Sequence, residues 1–290
     1  MELIYESARG KTVSLGTAGT DSTPFILTTA EGLYDLRSET YLADSARQAG
    51  SVWISSRVKR RLMTLEGFIA RDVAVNRRHL IACFSPLEPG WLTLRRPEAG
   101  GIFERRIGCV VEQGPLFDKT DGSRFSAALV APSPWWEDAD GDSLANLTGW
   151  MGAVVFPWSM FAPFQFGGRQ LDVTVNVFNP GDVRTGMAIR MYAADTVVQP
   201  EVIRPGTAEF LRITRTLEHG ESFEIDTGIG QKRALYIHAD GTSESGMRYL
   251  HPDSVFPQLE PGDNLLKASS VSGAEALTVS VAFRAKYLGV

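Results

Sequence analysis

The 290-residue sequence has no run of about 18 consecutive apolar residues, which excludes a membrane-spanning helix and predicts no membrane insertion. Its first residues, MELIYESARGK, lack the basic start, apolar run and small-residue cleavage site of a secretory signal. Folding in the cytosol of the producing cell is therefore expected. Cysteine is scarce: Cys83 and Cys109 form no CxxC pair, so two buried free thiols are expected rather than a disulfide or a metal site. Histidine is scarce too. His79, His219, His238 and His251 show neither HxxxH nor HExxH spacing, which leaves no zinc motif. The GxSxG elbow of serine hydrolases and the GxxxxGK[ST] phosphate loop are both absent.

Three stretches approach a chemical motif and miss it. Asp138-Ala139-Asp140-Gly141-Asp142 begins like a calcium loop, which needs glycine at position 6 and glutamate at position 12. Those positions are Ser143 and Gly149 here, so an acidic solvated segment is expected. Gly228-Ile229-Gly230-Gln231-Lys232 lacks the third glycine of a dinucleotide fingerprint and lies between two strand-like runs, as a hairpin turn would. Glu137 and Asp138 fall in a segment too loose to hold a catalytic pair. No catalytic residues, no cofactor-binding residues and no metal ligands are expected, and the chain reads as a non-enzyme.

What the sequence does have is ordinary globular composition, 43% hydrophobic and 22% charged, with 28 glycines and 15 prolines to punctuate short strands. The net charge of −5 is unevenly spread. Arg47 to Arg106 holds 12 Lys+Arg against 5 Asp+Glu, a local +7, which leaves −12 for the remainder. A basic segment suits nucleic acid, an acidic protein surface or another copy of the chain. Its sharpest cluster is Arg57, Lys59, Arg60 and Arg61. With Trp53 the only aromatic nearby, it reads as the exposed face of a strand, with a subunit interface or a pore lining as alternatives.

The length suits two domains. In the first half, Asn76 to Phe84 is the best helix, with Asn76 as its N-cap and Leu80 and Phe84 on one face. Pro86 and Pro89 stop it. Trp91–Arg96, Phe103–Val111 and Arg124–Ala131 read as strands, as does Val52–Thr64. Residues 1–137 form the expected first domain, and 138–146 a linker rich in aspartate and glycine. Residues 147–290 form the second. There Leu171, Val173, Val175 and Val177 alternate with polar residues, and so do Met187, Ile189 and Met191. Phe223 with Ile225, and Leu235 with Ile237, repeat the theme. Turn signals at Pro205-Gly206, His219-Gly220, Asp240-Gly241 and Pro261-Gly262 separate these runs, which predicts a β-sandwich. Leu277, Val279, Val281, Phe283 and Tyr287 share one face of a last strand. Trp135, Trp136, Trp150 and Trp158 gather around the domain junction. Packing is their expected role, and stacking on sugars the alternative.

Several ordered motifs carry a resemblance. Ser254-Val255-Phe256-Pro257-Gln258-Leu259-Glu260-Pro261-Gly262-Asp263-Asn264, followed by a strand and a Tyr-Leu ending, resembles the C-terminus of the distal tail proteins of long, flexible-tailed bacteriophages. Asn179-Pro180-Gly181-Asp182 is similar to that family's N-x-G-D turn. Leu217 to Thr227 (LEHGESFEIDT) is similar to its L-x-x-G-E-x-x-x-I-D-T hairpin, and Leu129 to Trp136 to the close of its N-terminal domain. The resemblance implies a mainly β fold: an N-terminal belt domain with one helix, then a galectin-like β-sandwich. It implies a virion protein of the tail tip, a hexameric ring that joins the tail tube to the baseplate or hub. Its partners would be other copies of itself, the tail tube protein, and a tail hub or tail-associated protein, with DNA passing through without sequence-specific binding. The alternative is a carbohydrate-binding module that recognises the host cell surface.

Overall fold

The computed structural model describes residues 1–17, 23–44, 49–151, 168–170, 174–207 and 209–290, without side-chain detail at 149–151 and 168–170. They form two compact units. Met1–Asp140 with Tyr287–Val290 make one, and Gly141–Lys286 the other.

The first unit contains β1 (Glu2–Ser7), β2 (Thr12–Thr17), β3 (Phe25–Glu31), β4 (Ser38–Asp44), β5 (Ser51–Val58), β6 (Arg61–Ile69), α1 (Val73–Cys83), β7 (Pro89–Glu98), β8 (Gly101–Phe117), β9 (Arg124–Ala131) and β10 (Trp136–Asp138). Its main sheet runs β10-β8-β7-β1-β2-β3-β6-β9, and β9 pairs again with β8. That second pairing closes β8-β7-β1-β2-β3-β6-β9 into a barrel. Alternation fills the interior: β6 buries Arg61, Met63, Leu65, Gly67 and Ile69 and exposes Leu62, Glu66 and Phe68. Tyr5 stacks on Phe84 with ring centroids 4.6 Å apart. Gly90 lies against that pair, where an added Cβ would sit 2.5 Å from the Tyr5 hydroxyl.

The helix starts three residues before the expected point. Asp72, at φ 50°, turns the chain into it without a side-chain cap. Asn76 lies inside the helix and donates to the Arg71 carbonyl at 2.7 Å. Val52–Thr64, expected as one strand, is two, because the chain leaves β5 at Val58 and enters β6 at Arg61. Arg124–Ala131 is a strand with the expected bounds.

The second unit contains β11 (Ser143–Asn146), β12 (Gly149–Met151), β13 (Gly168–Gln170), β14 (Thr174–Asn179), β15 (Met187–Ala193), β16 (Glu201–Ile203), β17 (Phe210–Arg212), β18 (Ser222–Asp226), β19 (Arg233–Ile237), β20 (Ser243–Ser245), β21 (Gly262–Ser269) and β22 (Leu277–Phe283). One sheet runs β11-β22-β15-β18-β19-β20 and another β14-β21-β16-β17. Met187, Ile189, Met191, Ile225, Val279 and Val281 from the first sheet share one core with Val177, Val202, Leu211 and Leu266 from the second. This is the expected sandwich, and the expected alternations of β15, β18 and β22 fill it, whereas β19 turns Ala234 and Tyr236 inward and leaves the expected Leu235 and Ile237 half-buried on its other face. Leu171 and Val173 lie outside the described residues.

The stretch 138–146 is not a free linker. Asp138 ends β10, and Ser143–Asn146 pairs with β22 as a sheet strand. The last strand also differs from its expected form. β22 ends at Phe283, and β23 (Lys286–Tyr287) joins the first unit's sheet beside β10. The last residues are tied down there: Arg61 donates to the Leu288 carbonyl at 2.7 Å, and Arg105 to that of Gly289 at 2.7 Å.

The motifs noted near the C-terminus close turns. The Asn264 amide donates to the carbonyls of Glu260 (2.7 Å) and Gly262 (3.0 Å), and its oxygen accepts from the Glu260 amide at 2.9 Å. The Asn179 amide donates to the carbonyls of Val183 and Leu259, and its oxygen accepts from the Gly181 amide at 3.0 Å. Thr227 exchanges two hydrogen bonds with the Met187 backbone. Asn264→Ala is expected to destabilise the second unit by about 2 kcal/mol, since three backbone groups lose a partner at a 4% exposed site. Urea unfolding of the variant measures it. An unchanged midpoint would show that water replaces the amide.

Candidate interaction surfaces

The basic cluster divides. Arg57 is exposed on β5, and Arg60 is exposed just before β6. Lys59 pairs with Glu39 at 3.4 Å. Arg61 is the exception: it is 3% exposed and cannot line a surface or a pore. Its Nε donates to the Pro134 carbonyl, its Nη1 to those of Gly32, Leu33 and Asp35, and its Nη2 to that of Leu288. Burial pushes its pKa down, and nearby Asp35 pushes back. Gly32 completes this cradle at φ +78°, where a Cβ would meet the Leu62 carbonyl oxygen at 1.9 Å. The buried alternation of β6 is the signal that places Arg61 inside. RVKRR read as a charge run hides it.

Much of the remaining basic charge lies against rings and carboxylates. Arg96 stacks over Phe103 at 4.3 Å, Arg106 over Trp91 at 4.3 Å and Arg105 over Tyr287 at 3.3 Å. Arg95 pairs with Glu104 at 3.1 Å and Arg96 with Glu98 at 2.8 Å.

The β4–β5 hairpin is different, because none of its described residues is buried. Every residue of its strands is exposed except Glu39 and Val58, which are half-buried. Tyr41, Leu42, Val52, Trp53 and Ile54 are its large apolar side chains, and Trp53 is 63% exposed. Sequence reasoning placed Val52, Trp53 and Ile54 in a strand and weighed Trp53 only as the aromatic beside the basic cluster, although a tryptophan between valine and isoleucine in a charged stretch is a signal of its own. On the barrel's outer surface lies a cavity of about 660 Å³. Glu66, Phe68, Leu116, Phe117, Asp118 and Arg124 are among its lining residues.

The expected junction aromatics have separate fates. Trp136 is fully buried in the first unit and donates to the Leu33 carbonyl at 3.2 Å. Trp135 is half-buried. Trp150 is in β12, without side-chain detail, and Trp158 lies outside the described residues.

In the second unit, Arg215 lies over the Tyr236 and Tyr249 rings and donates to the Tyr249 hydroxyl at 2.9 Å. That hydroxyl donates to Glu244 at 2.9 Å and accepts from Arg248 at 2.6 Å. On the outer face of the six-stranded sheet, Arg190 lies 3.7 Å from Glu224, and Asp226 is opposite Arg233. The four surround a depression of about 260 Å³.

The near-motifs are occupied structurally. Asp138 accepts from the Tyr287 hydroxyl at 3.0 Å and Asp142 from Arg284 at 2.8 Å. Gly228 to Gln231 is the β18–β19 turn, closed by the Gln231 amide donating to the Gly228 carbonyl at 3.0 Å. Among the described residues, no three His, Cys, Asp or Glu side chains converge as a metal site. No helix among them is long and apolar enough to cross a membrane. Cys83 and Cys109 are buried free thiols.

Three buried groups set an alkaline limit. Burial pushes the Cys109 thiol from 9.0 to about 12, and the Tyr5 and Tyr236 hydroxyls from 10.0 to about 12. Each is held neutral in the fold and ionises earlier in the unfolded chain. Stability is therefore full below about pH 9 and falls as pH rises toward 12. The urea midpoint is expected to drop between about pH 9 and pH 11, and Cys109→Ala to remove the earliest part of that drop. A flat midpoint through about pH 11 would contradict it.

A closed β-barrel with one helix, followed by a two-sheet sandwich, defines a β-rich protein whose most prominent surface feature is apolar and free. Residues 180–287 match the family model described as siphovirus-type tail component, C-terminal domain. The SPP1 Dit (gp 19.1) protein, described as a paradigm of the hub adsorption apparatus in Gram-positive-infecting phages, shares the fold over 99% of both chains, with 13% identity and a TM-score of 0.66. A chain of the phage P2 baseplate in its activated conformation with Ca is similar over 100% of this chain and 99% of its own, at 10% identity and a TM-score of 0.51. The same baseplate with Sr gives 9% identity and 0.52. A comparison with curated proteins found no match. Residues 180–287 of the second unit are thus similar to a tail-component C-terminal domain, and the chain shares the fold of SPP1 Dit along its length.

Proposed function

We propose that the chain is a structural protein of a phage tail tip, a distal tail protein. Copies of it form a hexameric ring that joins the tail tube to the baseplate or hub and lets DNA pass. The observation that carries this reading is the fold shared end to end with SPP1 Dit, together with the tail-component match in residues 180–287. The role is mechanical: it asks for stable units and complementary surfaces, not for a catalytic group. Its partners are other copies of the chain, the tail tube protein and a hub or tail-associated protein, and its location is the virion. Gold-labelled antibody against the chain tests it on intact particles. Label is expected at the tail end away from the capsid. Label along the tube or on the capsid would overturn it.

A second reading, carbohydrate recognition by the second unit, is favoured by the Arg190, Glu224, Asp226 and Arg233 depression, whose alternating charges suit a polyol. A glycan array tests it, and signal at background removes it.

A further inference from the structure

Two features of the first unit have no counterpart among its described residues. The first is the β4–β5 hairpin. A lone two-stranded hairpin is at best marginally stable in water, and this one presents Leu42, Val52, Trp53 and Ile54 to solvent. Among the described residues neither of its strands pairs with the barrel sheet: β4 and β5 form a two-stranded sheet of their own. The second is the outer cavity of about 660 Å³, where Phe68 and Leu116 stand exposed. Liquid water would fill that volume with about 20 molecules, so it has room for several side chains.

Their rims are opposite in charge. Arg57 and Arg60 flank the hairpin root, and neither is in an ion pair among the described residues. Glu66 and Asp118 line the cavity with the single cation Arg124. Asp118 is half-buried at the cavity wall, which leaves its carboxylate available to a cation entering the cavity.

Strand β6 separates the two. It starts at the hairpin root with Arg61 and reaches the cavity at Glu66–Phe68. At the usual strand rise, that is about 20 Å. A knob and a hole at different places on one unit make a heterologous contact, the kind that generates a closed ring.

We propose that the β4–β5 hairpin of one copy docks in the outer cavity of the next. Trp53 and Leu42 cover Phe68 and Leu116, and Arg57 or Arg60 supplies the donor to Asp118. The occupant is a second copy because one chain carries both halves of the match. This rests on the ring reading, and the experiment separates the two.

Trp53→Glu and Phe68→Glu are purified alone and mixed, with circular dichroism as the folding control, and their masses are read by light scattering. Both positions are exposed, so both variants are expected to keep the wild-type spectrum. Wild type is expected to form rings. Each variant alone is expected to stay monomeric at concentrations at least about 30-fold above the wild-type assembly threshold, because buried tryptophan is a typical hot spot. The equimolar mixture is expected to form a one-to-one dimer. The intact hairpin of the Phe68→Glu copy fits the intact cavity of the Trp53→Glu copy, while the other two ends are blocked. Within one chain, Asp118→Arg is expected to restore assembly lost to Arg57→Asp. Wild-type rings combined with normal rings of Phe68→Glu, or with a mixture that stays monomeric, overturn the docking and leave the ring reading intact. Wild type that stays monomeric at every concentration overturns both.

Discussion

Arg61→Ala is expected to lower the stability of the first unit by about 4 kcal/mol. The guanidinium serves five backbone carbonyls, those of Gly32, Leu33, Asp35, Pro134 and Leu288, at 2.7–3.0 Å. They come from the loop after β3, the segment before β10 and the last residues of the chain, so one side chain fixes three distant pieces of backbone. Alanine removes one donor from each of those oxygens and opens a void at a site that is 3% exposed. Arg61→Lys keeps the charge but not the planar fork, and is expected to recover roughly half of the loss. Urea unfolding followed by circular dichroism reads both. A loss under about 1 kcal/mol for the alanine variant would show that water satisfies the cradle.

Trp136→Ala is expected to cost a similar amount, about 4 kcal/mol, for a different reason. The indole is fully buried, and removing it creates the largest void a single truncation can make in this unit. It also strips one donor from the Leu33 carbonyl, which accepts from Trp136 at 3.2 Å and from Arg61 at 3.0 Å. Because the two side chains share that acceptor, their effects should not add. The double variant is expected to lose about 1 kcal/mol more than the sum of the singles, because only there does the Leu33 carbonyl lose both donors. Strict additivity would mean that the two act on the backbone independently.

These two residues show where the sequence was legible and where it was not. Local alternation and turn chemistry are visible in a sequence, so β9, β15 and β18 lie where they were expected, and β19 and β22 lie there with a different inner face and a different end. Asn179 and Asn264, which bond to their own turns, account for motifs that stand out without any chemistry. Long-range facts were hidden. The β8–β9 pairing that closes the barrel leaves no local trace. Arg61 looked like its neighbours Arg57, Lys59 and Arg60 because composition ignores which way a side chain points. Its alternation with Met63 and Leu65 is the information that places it inside. Tyr287 shares parity with Phe283, yet the chain breaks after Phe283 and carries it into the other unit. The helix start was misplaced because Asp72 adopts a left-handed conformation, which no cap motif announces. The hairpin's apolar face is masked in the sequence by the charge run that follows it, RVKRR at 57–61.

The most direct test is the solution mass of the purified chain by light scattering after gel filtration, with negative-stain images of the same peak. A ring with about six times the 31.7 kDa of one chain is the predicted result. A single-chain mass at every concentration, with no rings in the images, would contradict it.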